Sequence, residues 1–194
     1  MSFPFIFESN FEGGVVTEWD SETDTEGALN IRHYSWLARY NVANVGPIVP
    51  WRGAYALEFD HTVGDTYDHV LIEGDIDIAD TVTRYTRFYL FLGKDFAATA
   101  DDTFNIYEVQ GTANAVENAV GLRITAATGL IEIGVGQVAP TVFATQPLVK
   151  GRWYAVELVS VIQSGGTGSA TLWIDGAQVA TVGSLKNTAV LRGV

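Results

Sequence analysis

The stretch Gly151–Thr181, GRWYAVELVSVIQSGGTGSATLWIDGAQVAT, decides the fold. WYAVELVSV is dense in β-branched and aromatic residues and reads as a strand. QSGGTGS after it is a glycine-serine loop, and ATLWI and AQVAT flank Asp175-Gly176. Asp-Gly between two alternating runs is a strong hairpin signal, because a type I′ turn needs positive φ at both central residues. Three antiparallel strands in 31 residues therefore close this part of the chain.

Outward from it the pattern repeats. Strand-like runs are expected at Pro4–Phe7, Gly53–Phe59, His69–Ile78, Tyr85–Gly93, Phe104–Gln110, Val120–Thr125, Leu130–Gly134, Trp153–Val161, Ala170–Ile174 and Gln178–Val182. Gly, Pro, Asp and Asn clusters separate them, which is the signature of an all-β sandwich. No amphipathic helix is evident, and Ala113–Ala119 has room for one helical turn at most. The 194 residues carry no repeat or linker, so one domain over 1–194 is expected.

Several stretches resemble the laminin-G-like and concanavalin-A-like jelly rolls. The closing stretch is similar to their "W-Y/H-x-V-x-L … L-W/Y-V-D-G-x-x-V" pattern. FESNFEGG, WRGAYALEF, RYTRFYLFLG and VGLRIT…GLIEIGV resemble, in order, their opening and central strands, and together they cover most of residues 3–182. The resemblance implies an antiparallel two-sheet β-sandwich. One departure stands out: such folds finish on a "G-x-I-Y/L-F/V-D-D/E" strand beside the first, whereas this sequence ends in AVLRGV, with no such strand. Either the chain is cut short, or its open edge is filled by another subunit. As an open edge is a template for pairing, Phe3, Phe5 and Phe7 are expected to pair with another chain.

Composition excludes some partners. Twenty-three acidic against eleven basic residues give −12, which argues against nucleic acid and anionic membrane. Seven acids precede the first basic residue, Arg32, and read as a solvated loop. No run approaches the ~20 apolar residues of a membrane helix. MSFPFIFESN lacks the basic start of a signal peptide, so synthesis in a cytoplasm is expected. Without cysteine there is neither a disulfide nor thiol chemistry.

The search for chemistry yields weak patterns. In IEGDIDIAD, Glu73, Asp75, Asp77 and Asp80 resemble the "E-I-D-x-x-E" strand of retaining glycosidases of this fold. Those need carboxyls ~5 Å apart, and aspartate is one methylene short; alternation with Ile76 and Ile78 reads instead as a half-solvated strand. A polysaccharide lyase needs a group that neutralises the uronate, commonly Arg, Asn, Gln or His, and a Tyr or His base. Arg87 and Tyr89 share one face of a strand; Asn105 and Tyr107 are read as sharing a face of another; Arg123 projects from VGLRIT. Neighbouring strands would gather them on one surface, but "Q-I-H" and "Y-x-K-x-G-x-Y-x-Q" are missing.

His33, His61 and His69 have no zinc spacing. Asp20–Gly27 offers close hard oxygens without the EF-hand pattern, so calcium stays open while no cofactor is expected. GVGQVAP reads as a turn, not a phosphate loop. Trp36 and Trp51, in a loop-like region, either cap the core or form a contact surface for sugar or protein. For Trp153 and Trp173, in strands, packing is the stronger reading.

These readings converge on a non-enzymatic structural or binding module, a capsid decoration or appendage protein on a virion surface, as such resemblances are familiar from phage particles. Other protein subunits, as a homo-oligomer or larger assembly, are its expected partners, with a glycan as a further ligand. Trp36, Trp51, Arg87, Tyr89, Tyr107 and Arg123 are the candidate ligand-binding residues, and no catalytic residue is assigned. The alternatives are a lyase using Arg87, Tyr89 and Arg123, or a lectin using the loop aromatics.

Overall fold

A computed structural model describes residues 21–24, 29–33, 55–59, 70–78, 83–93, 96, 101–111, 116–163, 165–186 and 191–193. They form thirteen strands: β1 (Ser21–Asp24), β2 (Leu29–His33), β3 (Tyr55–Phe59), β4 (Val70–Ile78), β5 (Thr83–Phe91), β6 (Thr103–Gly111), β7 (Val116–Ile124), β8 (Ile131–Gly136), β9 (Pro140–Phe143), β10 (Trp153–Val161), β11 (Gly168–Ile174), β12 (Ala177–Leu185) and β13 (Leu191–Gly193). A large sheet runs β1-β4-β13-β6-β7-β8-β9 and a small one β12-β11-β10-β5, with β2 and β3 as a separate pair. Every pairing is antiparallel. The expected all-β, two-sheet antiparallel sandwich is what the chain forms.

Alternation builds the interior. In β10 and β11 every second residue is buried. Tyr154, Val156 and Leu158 join Leu172 and Ile174 in one cluster with Val120 and Leu122 of β7 and Ile131, Ile133 and Val135 of β8. That cluster lies between the two sheets. Each such aliphatic side chain contributes about 1.5–3 kcal/mol by leaving water, so the central strands hold the sandwich together.

The Asp175-Gly176 hairpin forms as read, with φ of 50° and 80°. Trp153–Val161 has the expected bounds. Elsewhere local signals misled. Val116–Ala119 is the start of β7, not a helical turn, because it pairs with both β6 and β8. Within the acidic stretch read as a loop, Ser21–Asp24 pairs with β4. Pro140–Phe143 is a strand. In the terminal AVLRGV, Leu191–Gly193 lies between β4 and β6. Three- and four-residue strands carry too little pattern to be read alone; the ladder beside them defines them. The Phe3, Phe5 and Phe7 edge lies outside the described residues.

Candidate functional site

The large sheet turns one face to the small sheet and one away. On the outward face Arg123 of β7 stands opposite Glu132 of β8 and Thr103 of β6. Its Nε donates to Glu132 Oε2 at 2.7 Å, and Nη2 lies 2.6 Å from the same oxygen. The guanidinium carbon is 3.7 Å from the ring centre of Phe143 on β9. A carboxylate and an aromatic face thus fix the direction of a half-exposed cation.

Glycines form the floor beside it. A Cβ at Gly121 would stand 2.5 Å from the Phe104 carbonyl oxygen and 2.7 Å from Pro140 Cγ; at Gly134 it would meet the Phe143 ring at 2.7 Å. Only glycine lets the 137–140 turn and Phe143 lie this close to the sheet. Asn105 Nδ2 holds that turn down, donating to Val138 O at 3.1 Å and to Glu108 Oε1 at 2.7 Å. These glycines are therefore buried: residues 137–140 and the Phe143 ring cover them and form a wall beside the half-exposed Arg123.

The sequence-derived residues do not meet on one surface. Arg87 and Tyr89 lie on β5 of the small sheet, pointing away from the core. Arg87 is ion-paired with Glu157 directly across the ladder. The hydrogen bond to Glu157, opposed by slight burial, holds its guanidinium above the ordinary value, with the Glu157 and Tyr89 charges adding to the rise. Arg87 is therefore charged at any working pH.

Tyr107 faces inward. Its ring stacks on Phe88 at 5.6 Å, and its hydroxyl is 3.1 Å from Thr86 Oγ1. A register shift between Asn105 and Tyr107 puts these two residues on opposite faces, a bulge that simple alternation does not foresee. Trp36 and Trp51 lie outside the described residues. Trp153 and Trp173 stand on the outward face of the small sheet, partly exposed, and Trp153 packs there on Phe91 with ring centres 5.3 Å apart.

No protein-family model matches the chain, and no curated protein matches its sequence. Solved structures do match. An endo-β-1,4-glucuronan lyase from the fungus Trichoderma reesei superposes with a TM-score of 0.57 and 17% identity, over 92% of this chain and 79% of that one. The alginate lyase Aly36B gives 0.51 and 14%, over 65% and 62%. The fold is thus similar to that of polysaccharide lyases. This corrects the expectation of a non-enzymatic virion module: both structures are enzymes that act on polysaccharides, and neither is a particle protein. The expectation that the chain is not an enzyme falls with it. The virion reading rested on the lack of a signal peptide, the missing catalytic signatures and an open sheet edge. Of these, the missing signatures carry little, since short motifs do not have to persist at such low identity.

Proposed function

We propose that this protein is a polysaccharide lyase acting on a uronate-bearing polymer, with the polymer lying along the outward face of the large sheet. The observation that carries this reading is the similarity over 92% of the chain to a glucuronan lyase, with an alginate lyase as the second match. Alginate and glucuronan are both uronate polymers.

Elimination sets the requirements. A base removes the proton on C5, beside the carboxyl group. The C5–H electron pair forms the C4–C5 double bond, the C4–O bond breaks, and the leaving oxygen is protonated. The anion that develops beside the carboxylate is costly until a positive group neutralises that carboxylate. Arg123 suits this task. Glu132 engages Nε and Nη2, and a guanidinium has five N–H donors in all, so others remain to hold a substrate carboxylate. Glu132 and Phe143 are positioning residues, and Asn105 positions the wall. Tyr107, enclosed between the sheets, is not the base. Tyr34, Tyr40, His61 and His69 lie outside the described residues.

The test is ultraviolet absorbance of unsaturated uronate products on glucuronan, alginate and heparin. The expected result is turnover of at least one polymer, reduced a hundredfold or more in Arg123→Gln, the scale of losing one transition-state charge contact. Silence on all three overturns the reading.

A further inference from the structure

The charge of this chain is unevenly placed. The small sheet and its flanking turns, residues 83–93 and 144–186, hold five basic residues (Arg84, Arg87, Lys150, Arg152, Lys186) and two acidic ones (Glu157, Asp175). That surplus of three positive charges leaves −15 on all other residues of a chain whose total is −12. Arg84, on the inward-facing side of β5 with Nη1 buried, does not add to the outward face, where the surplus is two. Nearly half of the eleven basic residues lie in this sheet and its flanking turns.

The same sheet exposes aromatic rings on its outward face. Tyr85 is 77% exposed and Tyr89 39%. Ladder register places Tyr89 beside Ala155, Arg87 beside Glu157, and Glu157 beside Trp173. Trp153 packs against Phe91 with ring centres 5.3 Å apart. Tyr89 and Trp173 are separated by one strand, about 10 Å for two ladder steps, with alanine and the Arg87–Glu157 pair between them. The face is thus open between its rings. Hydroxyls continue the polar rows: Thr181 Oγ1 donates to Thr171 Oγ1 at 3.3 Å and accepts from Gln178 Nε2 at 3.1 Å.

We infer that this outward face of the small sheet is a second, non-catalytic binding surface for an acidic polysaccharide. Rings spaced across a flat sheet stack on sugar faces, and the hydroxyl and amide rows bond sugar hydroxyls. Arg87 and Arg152, each exposed but already paired with Glu157 and Asp175, offer their remaining N–H donors to carboxylates. The local positive surplus draws an anionic chain to the part of an acidic protein that repels it least. Tyr89 and Trp173 are the stacking anchors and Arg87 the main charge contact. The inference shares with the lyase reading only the class of polymer; the surface lies on the side of the sandwich away from Arg123.

The experiment compares the 194-residue protein with Arg87→Gln/Tyr89→Ala and with Trp173→Ala. It measures retardation in native gels containing alginate or glucuronan, turnover of a short uronate oligosaccharide, and molar mass by light scattering. Both variants are expected to bind polymer roughly tenfold more weakly while oligosaccharide turnover, where present, holds; tenfold is about 1.4 kcal/mol. Retardation of the unsubstituted protein should weaken with added salt. Weaker retardation of the variants in a protein that cleaves nothing would still support the surface and sink the lyase reading alone. Unchanged retardation in the double variant overturns the surface. Loss of oligosaccharide turnover in a folded double variant also overturns it, since the face would then be the cleft. So does a dimer that the substitutions dissociate, since the face would then be covered by a second copy.

Discussion

The Tyr107 hydroxyl lies 3.1 Å from Thr86 Oγ1, a hydrogen bond that joins the large sheet to the small one inside the sandwich. The Tyr107 ring rests on Phe88, next on the same face of β5. A side chain that looked from its strand pattern like a binding residue is therefore a cross-brace. Tyr107→Phe keeps the ring and removes the oxygen, so it should cost about 1 kcal/mol. Urea unfolding measures that loss, and polymer retardation should not change. A weaker retardation with unchanged stability would return Tyr107 to the surface.

Glu132 and Phe143 aim Arg123 without touching substrate in the proposed lyase reaction. Glu132→Gln keeps the shape and removes the charge that holds the guanidinium. The pair is part-buried and Gln still offers an oxygen to the guanidinium, so the loss of stability should be about 1 kcal/mol. The kinetic effect should be larger: kcat should fall about tenfold with KM no higher, as a freed arginine still meets the carboxylate but less often in the productive direction. Arg123→Lys, which loses the planar fork, should be weaker still. A Glu132→Gln enzyme with wild-type kcat would deny Glu132 its positioning role.

The alternation of β10 and β11 and the Asp175-Gly176 turn were legible because each is a local rule acting on a long run of residues. The face of Tyr107 was not, because the extra residue of a bulge resets alternation and shows only against the partner strand. The outward placement of Trp153 and Trp173 was written in the same alternation that buries Tyr154 and Leu172, and packing is compatible with it, since Trp153 lies on Phe91 on that outer face. Leu191–Gly193 was invisible for another reason: three residues between β4 and β6 are a strand only because both neighbours are there. Arg123 was singled out from sequence, while its aiming by Glu132 and Phe143 depends on three strands meeting in register. Function was least legible, since the likeness to lyase structures lies in the fold, at 17% and 14% identity, and not in any motif the sequence displays.

Gly121 tests the packing of the 137–140 turn on the large sheet. An alanine Cβ there would come within 2.5 Å of the Phe104 carbonyl oxygen and 2.7 Å of Pro140 Cγ. The first is backbone and cannot swing away, so β6 and the 137–140 turn must both give. Gly121→Ala should destabilise by about 1–3 kcal/mol, the range of overpacked interiors. Gly165→Ala, with open space around the new methyl, is the control and should change stability little. Equal melting temperatures for the two variants would mean that the turn does not lie on the sheet as described.

Asp175 does more than shape its hairpin. Its φ of 50° is one that side chains rarely adopt, yet its carboxylate Oδ1 accepts from the Ala155 amide at 2.9 Å and Oδ2 from Arg152. Its own amide donates to Ala155 O at 2.9 Å. The turn of β11–β12 is thus clamped to β10. Two substitutions separate the clamp from the turn. Asp175→Gly relieves the positive φ and loses the carboxylate; Asp175→Ala loses both the carboxylate and the tolerance. If the clamp dominates, both should be destabilised by a similar amount, about 1 kcal/mol, the net worth of a hydrogen bond whose amide water can reach. Asp175→Asn, which keeps an oxygen and tolerates positive φ, should recover most of it. Thermal melts of the three variants decide the matter, and an Asp175→Gly protein as stable as the parent would show that the residue is there for its backbone alone.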